Sequence, residues 1–214
     1  MIGKSLRATR ITAFLFGVFC GWLGLGHGYL EVLHGNVPTG GVAIDANNNL
    51  FNGRFPGFSG NEPAMTIIPN FLVTGILAII VSLAIILWST FLVQRKRGGI
   101  VLMALSVLLL FFGGGFTPIP FGILAGLAGI GINASYSWWR THLPAGFWGS
   151  CGVLWPVFLL ISVAWYPCLP VLRSALKADT TALGGFGVLL CLVAVLTAFA
   201  NDIRYENYES RRAG

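Results

Sequence analysis

The sequence is poor in charge. Only 9% of its 214 residues are Asp, Glu, Lys or Arg, whereas 56% are hydrophobic and the mean hydropathy is +0.80. A soluble domain carries roughly 25% charged residues because water must hydrate its surface. A chain with so little charge has an outer surface that faces lipid. We therefore expect an all-α, polytopic membrane helix bundle that forms one unit over residues 1–214.

The sequence also lacks most motifs that carry chemistry. No Cys-x-x-Cys pair, nucleotide-binding loop, Ser/His/Asp set or paired metal motif occurs. Cys151 and Cys168 would lie about 25 Å apart on one helix, which is too far for a disulfide. The net charge of +6 falls in short basic clusters between apolar runs, a pattern typical of membrane topology. We expect no nucleic-acid partner, and the sequence identifies no cofactor.

Apolar segments alternate with short polar segments along the chain. The predicted spans are residues 11–33, 67–93, two within 100–133, 150–169 and 182–200. Pro69 is expected to bend the second span near its outer end. Between the first two spans lies a polar extracytoplasmic loop, 34–66, and a charged cytoplasmic tail, 201–214, is expected to be surface-bound or frayed. Aromatic and basic residues at 138–148 predict a belt at the membrane surface, namely Trp138, Trp139, Arg140, His142 and Trp148.

The uncharged stretch 100–133 decides the number of spans. Its thirty-four residues are too long for one span of about 20 residues, and three glycines (113–115) with Pro118 and Pro120 supply a turn at its middle. A helical hairpin gives six spans with both termini in the cytoplasm, and places ten basic residues inside against three outside. A single kinked span would give eight against five. The positive-inside rule favours the hairpin.

Two glycine stripes predict where helices pack closely. Gly17, Gly21, Gly24 and Gly28 share one face of the first span, and a second stripe lies on the fourth span at Gly122, Gly126 and Gly129. Small residues let membrane helices approach closely, within this chain or toward other membrane subunits. In the loop, residues 42–44 and 50–51 predict a short hairpin, and Asn61 with Pro63 predicts a helix start.

One constellation is a candidate site. His27, Glu31 and His34 are spaced i, i+4, i+7 and share a face at the outer end of the first helix. Glu31 is the only carboxylate placed within or against an apolar span, and ionisable groups at such depth are costly. We expect Glu31 to be at least partly buried, with a polar partner from His27, His34 or a loop that folds over it.

Three interpretations of this constellation stay open. The three residues lie simply where the helix leaves the membrane, or they form a proton-titrating or ligand-binding group in a solute pathway. The third is a metal site of His27, Glu31 and His34, completed by Asp45 or Glu62. The break at 113–120 is a second candidate, because interrupted helices can line sites. Its position at the outer interface favours a plain turn.

The segments 26–36, 66–75 and 112–115 together resemble those of a family of small polytopic prokaryotic membrane proteins of unknown function. The resemblance covers about the first two thirds of the chain. It implies a multi-pass protein of the prokaryotic plasma membrane (the cell inner membrane) and no activity.

The sequence favours a binding or complex-forming membrane subunit, with a polar site at the outer end of the first helix. The alternatives are a small-solute transporter and a membrane-embedded metal-dependent enzyme that uses His27, Glu31 and His34. Spans without further charge speak against ion transport through the core. No residue is identified as catalytic.

Overall fold

The structure is a computed structural model, which describes residues 7–45, 63–137, 150–177 and 179–213. The predicted aromatic belt at 138–148 and loop residues 50–51 and 61–62 lie outside these ranges. Most described residues are helical, in α1 (Ala8–Leu33), α2 (Phe71–Leu87), α3 (Gly98–Phe111), α4 (Pro118–Gly131), α5 (Trp155–Leu176) and α6 (Thr180–Ala213). A π-helical segment, Trp88–Leu92, continues α2. Two short strands, β1 (Ala43–Ile44) and β2 (Ala64–Met65), pair antiparallel.

Several helices have the length and composition of membrane spans. Ala8–Leu33, Phe71–Leu92 and Ala182–Glu209 are long and apolar enough to cross a membrane, whereas the apolar helices Gly98–Phe111, Pro118–Gly131 and Trp155–Leu169 are shorter. The outer surface is also apolar, with large exposed side chains such as Leu87, Phe91, Leu160 and Val171. The predicted helical class is confirmed, and its surface is compatible with lipid.

Helix α1 lies at the centre of the bundle and packs mainly against α2 and α4. Its glycine stripe faces α2. A Cβ at Gly28 would lie 2.8 Å from the carbonyl oxygen of Gly75, and one at Gly21 would lie 2.7 Å from that of Ser82. Contacts this short are possible only because these glycines carry no side chain. The predicted packing stripe is therefore confirmed.

Helices α3 and α4 form an antiparallel hairpin. Its second glycine stripe packs on α3, because a Cβ at Gly126 would lie 2.7 Å from the Gly99 carbonyl oxygen and one at Gly122 would overlap Ser106. Pro118 and Pro120 stand in the first turn of α4, where the missing N–H of proline costs no helical hydrogen bond. The helical hairpin is confirmed. Both stripes are occupied within the chain, which leaves other surfaces to any partner subunit.

The second helix begins later than predicted. It was expected from residue 67 with Pro69 inside it, but it begins at Phe71, after Asn70, whose side chain accepts a hydrogen bond from the Val73 N–H (3.2 Å). Pro69 therefore precedes the helix and does not bend it, since an Asn cap satisfies the first free N–H groups there. Pro63, expected in a first helical turn, precedes strand β2 instead.

The short strand at 43–44 pairs with residues 64–65, and its predicted partner, 50–51, lies outside the described residues. Ala43 lies opposite Met65 and Ile44 lies opposite Ala64. This pairing buries Ile44 and Ala64 against Leu30 of α1 and Phe71 of α2. Burial of this apolar cluster is the physical reason for the register, because the strands themselves are too short to be stable alone.

The start of α1, the end of α4 and the turn after α2 lie at one end of the bundle. Arg7 donates a hydrogen bond to the carbonyl of Ile132 (3.1 Å), and the Asn133 side chain donates to the carbonyl of Gln94 (3.1 Å). We call this the basic end, since Arg7 and the exposed basic residues 95–97 lie there.

Helix α6 also reaches the basic end. The helix continues without a break through residues 201–213, most of the predicted tail. Buried Asp202 accepts hydrogen bonds from the N–H of Ala8 (2.7 Å), the N–H of Thr9 (3.3 Å) and the Thr9 hydroxyl (2.5 Å). These N–H groups begin α1 and have no partner within that helix, so a carboxylate stabilises them. The expectation that Glu31 is the only carboxylate against an apolar span is therefore wrong.

We expect Gly21→Leu to destabilise the bundle. The new side chain would force α1 and α2 apart, and overpacking of this kind usually costs about 1–3 kcal/mol. The measurement is thermal unfolding of the purified protein in detergent. Gly185→Leu on α6 is the control, because a Cβ there would meet no atom within 4 Å. An equal loss of stability in both variants would show that the stripe contact is not the cause.

Candidate functional site

His27 and Glu31 stand one turn apart on α1, at the end of the bundle opposite the basic end. Both are buried: Glu31 is 0% exposed and His27 is 6% exposed. The predicted burial of Glu31 is confirmed. An ionisable group that no water reaches has a high free-energy cost in a membrane helix. The surroundings of this carboxyl therefore decide what the site can do.

The carboxyl of Glu31 has no partner in the part of the chain that the structure describes. Neither of its oxygens accepts or donates a hydrogen bond there. The predicted polar partner from His27, His34 or the loop is therefore not found among these residues. Burying an ionised carboxylate without a partner costs far more than burying a neutral polar group. The site as it stands suits a carboxyl whose charge is neutralised.

The turn between α3 and α4 covers this face of α1. Gly113 and Gly115 have positive φ angles of 85° and 80°, a conformation that side chains rarely adopt. A Cβ at Gly113 would overlap the Glu31 carboxyl, and one at Gly115 would overlap the His27 imidazole. We call residues 113–115 the glycine turn. The face of α1 with His27 and Glu31 and the break at 113–120 therefore form one site.

Strand β2 and the segment after it hold the glycine turn in place. The Gly113 N–H donates to the Met65 carbonyl (2.9 Å), and the Ile67 N–H donates to the Phe111 carbonyl (3.1 Å). Between these bonds, Thr66 forms an isolated antiparallel bridge with Phe112. A few backbone hydrogen bonds thus attach the turn to a short strand. Because residues 113–115 are all glycines, the turn has no side chain that packs there.

Helix α2 forms another wall of the site. A Cβ at Gly75 would lie 2.9 Å from the Glu31 Cβ and 2.7 Å from the Gly28 carbonyl oxygen. Glu31 therefore stands where α1 and α2 pack closely. Its backbone is fixed by this contact, and the adjustable part of its surroundings is the glycine turn.

His34 does not complete the predicted set of three. It follows the last residue of α1, and its ring stacks on Phe71, with centroids 4.2 Å apart and an interplanar angle of 15°. Within the described ranges, no three His, Cys, Asp or Glu side chains gather as metal ligands. Asp45 lies outside any such group there, and Glu62 is not among the described residues. The metal hypothesis therefore has His27 and Glu31 as its only adjoining ligands in these ranges.

The interior between Glu31 and Asp202 contains hydroxyl groups. Ser89 and Ser106 are buried and donate to the carbonyls of Ile86 (3.0 Å) and Leu102 (2.8 Å) on their own helices. Ser82 is buried against Gly24, and its hydroxyl has no partner among the described residues. Hydroxyls bonded to their own backbone do not form a continuous polar path, so the geometry gives no support to a channel for ions.

Comparison with protein-family models, curated proteins and solved structures finds no match for this chain. The resemblance to a family of small prokaryotic membrane proteins therefore stays a prediction, and the site has to be interpreted from its own geometry.

Gly113→Ala is expected to displace the glycine turn and destabilise the protein. A methyl group there meets the Glu31 carboxyl, and the positive φ adds a cost of about 1–2 kcal/mol for an L-residue. Gly40→Ala is the matched control, since Gly40 has φ +75° and a Cβ there would meet no atom within 4 Å. The measurement is thermal unfolding in detergent.

The double variant Gly113→Ala/Glu31→Ala tests the contact itself. Removing the carboxyl makes room for the methyl group, so the double variant should lose less stability than the sum of the single variants. Strict additivity would show that Gly113 and Glu31 do not meet.

Proposed function

We propose that the chain crosses the prokaryotic plasma membrane six times, with both termini in the cytoplasm. Apolar helices in the six expected segments and the cluster of basic residues at one end support this arrangement. The α3–α4 hairpin runs beside α1 from the level of Arg7 to the level of Glu31. From Ala8 to Glu31 the rise is about 34 Å, close to the roughly 30 Å of a hydrocarbon core.

Reporter fusions test this topology. A fusion after Gly214 should report the cytoplasm and a fusion at Asp179 should report the outside, using a fluorescent protein that matures inside and a phosphatase that is active outside. If the segment 100–133 crossed only once, both reporters would change sides. A C-terminus found outside would therefore contradict the six-span proposal.

We further propose that the protein is a binding membrane subunit whose site is Glu31 with His27, and that a proton controls this site. The observation that carries the proposal is the fully buried Glu31 carboxyl, which has no hydrogen-bond partner among the described residues. A proton is the ligand that the closed site can hold without more room, because the glycine turn lies directly on the carboxyl.

The proton and the glycine turn are coupled in this proposal. With a proton on Glu31, the neutral carboxyl is compatible with the closed turn. When Glu31 ionises, it needs water or a cation. The turn can then lift, because a few backbone hydrogen bonds hold it, namely Gly113 to Met65 and Ile67 to Phe111. The open site then offers a carboxylate and an imidazole to a cationic group of a solute or a partner subunit. His27 is the titratable group beside Glu31; Gly75, Gly113 and Met65 on the packed elements do not titrate.

The alternatives have less support from the geometry. A transporter needs a polar route through the bundle, whereas the buried hydroxyls of Ser89 and Ser106 between the two ends bond to their own helices. A metal-dependent enzyme needs at least one further ligand beside His27 and Glu31, and the described residues bring none to them.

Infrared spectroscopy of the protein in lipid tests the protonation of Glu31. The difference spectrum between wild type and Glu31→Gln should contain the C=O band of a neutral carboxyl, which the variant lacks. Asp202→Asn is the control, because Asp202 accepts three hydrogen bonds at a helix N-terminus and should contribute the bands of an ionised carboxylate. A Glu31 difference spectrum with only ionised bands in the closed protein would contradict the proposal.

Hydrogen exchange tests the coupling. As pH rises and Glu31 ionises, the amides of 112–116 should exchange faster in wild type than in Glu31→Gln at the same pH. The comparison at equal pH removes the intrinsic pH dependence of exchange. Identical exchange in the two proteins across the titration would exclude opening of the turn by Glu31.

A further inference from the structure

A cavity of about 320 Å³ lies between α1 and the π-helical segment. Its lining consists of Arg10, Ile11 and Phe14 from α1, and Ser89 and Thr90 from the π-helical segment. Arg10 stands twenty-one residues before Glu31, about 31 Å along the helix. The cavity is therefore separate from the site at Glu31. π-Helical turns are often found at functional sites, because they widen the helix locally.

Arg10 is the charged group of this cavity. It is half-buried, and no hydrogen bond or ion pair of its guanidinium is found within the described ranges. Arg7, three residues earlier, differs because it forms an ion pair with Glu206 (2.6 Å). A guanidinium presents a planar set of N–H donors that matches the oxygens of a phosphate. The cavity therefore offers a positive charge and N–H donors that no described residue uses.

The other walls show which kind of anion the cavity suits. The hydroxyls of Ser89 and Thr90 both donate to the Ile86 carbonyl (3.0 and 2.7 Å), so their protons are already used. Ile11 and Phe14 form an apolar wall, and Phe14 is 37% exposed at the outer surface of the bundle. One cation beside an apolar surface fits an amphipathic anion better than it fits a small hydrated one.

The cavity lies at the level of the basic end. Gly17 packs against Ser89 of the π-helical segment, which ends at Leu92 and is followed by the exposed basic turn 95–97. Arg10 stands one helical turn from Arg7, whose bond to the Ile132 carbonyl lies beside the contact of Asn133 with Gln94. Arg10 is therefore near the level of this basic turn. Basic pockets between membrane helices on the cytoplasmic side are suited to anionic lipid headgroups.

We propose that this cavity binds an anionic phospholipid of the inner leaflet, with its phosphate on Arg10 and an acyl chain along Phe14. The proposal rests on the placement of the basic end at the cytoplasmic surface, and does not depend on the chemistry at Glu31. The bound lipid would fill the gap between α1 and the π-helical segment.

Native mass spectrometry of the full chain in detergent tests the proposal. Phosphatidylglycerol and phosphatidylcholine with the same acyl chains are added separately. Wild type should retain phosphatidylglycerol in preference to phosphatidylcholine. Arg10→Gln should weaken phosphatidylglycerol binding by roughly tenfold, because a charge-assisted contact is lost. Lys96→Gln removes one charge from the exposed turn and should leave binding within about twofold of wild type.

Two further measurements keep the result unambiguous. Thermal unfolding of Arg10→Gln without lipid should match wild type, since Arg10 has no partner to lose within the described chain. Inorganic phosphate in millimolar excess should not displace phosphatidylglycerol, because phosphate cannot use the apolar wall. Equal retention of both lipids, an equal loss in Lys96→Gln, or full displacement by phosphate would each overturn the assignment of a phospholipid site.

Discussion

Four glycines line one face of α1, and α2 with its π-helical continuation packs directly on them. They are Gly17, Gly21, Gly24 and Gly28. The rest of the structure depends on this close approach. It fixes the backbone at Gly28 and Glu31 against Gly75, so the acidic side chain cannot move away from the core by a shift of its helix. Because lipid offers no hydrophobic drive for helix association, such contacts are the main source of order between membrane helices. A carboxyl held in this position has to be accommodated by whatever covers it.

The two buried carboxyls show opposite solutions to the same problem. Asp202 is 3% exposed and receives three hydrogen bonds from the first turn of α1. Glu31 is equally buried and receives none in the described chain. The three hydrogen bonds satisfy the Asp202 carboxylate, so a structural role accounts for this residue. The second arrangement leaves a buried polar group unsatisfied among the described residues, and this difference is the reason why we propose a binding role for Glu31.

Periodic features of the sequence predicted the fold well. The glycine stripes, the helical hairpin and the depth of Glu31 follow from spacing and apolar run length, which are local properties of the chain. Helix ends were less predictable, because Asn61 and Asn70 are equally good caps by residue type, and only the packing of β2 selects Asn70. The cover over Glu31 was not predictable from spacing, since it comes from Gly113, eighty-two positions away, in a backbone conformation that depends on Met65. Asp202 was overlooked because charged residues follow it and suggest a tail.

The contact between Asp202 and the first residues of α1 constrains the order of assembly. Ala8 and Asp202 are 194 positions apart, so α1 receives its cap from a helix that is made long after it. Until α6 has been made and has packed, the N–H groups that begin α1 must be satisfied by water or lipid headgroups. Helix α1 can form before the later helices, but its N-terminus stays uncapped while α2 to α5 are made. The packing of α6 therefore completes the start of α1 as well.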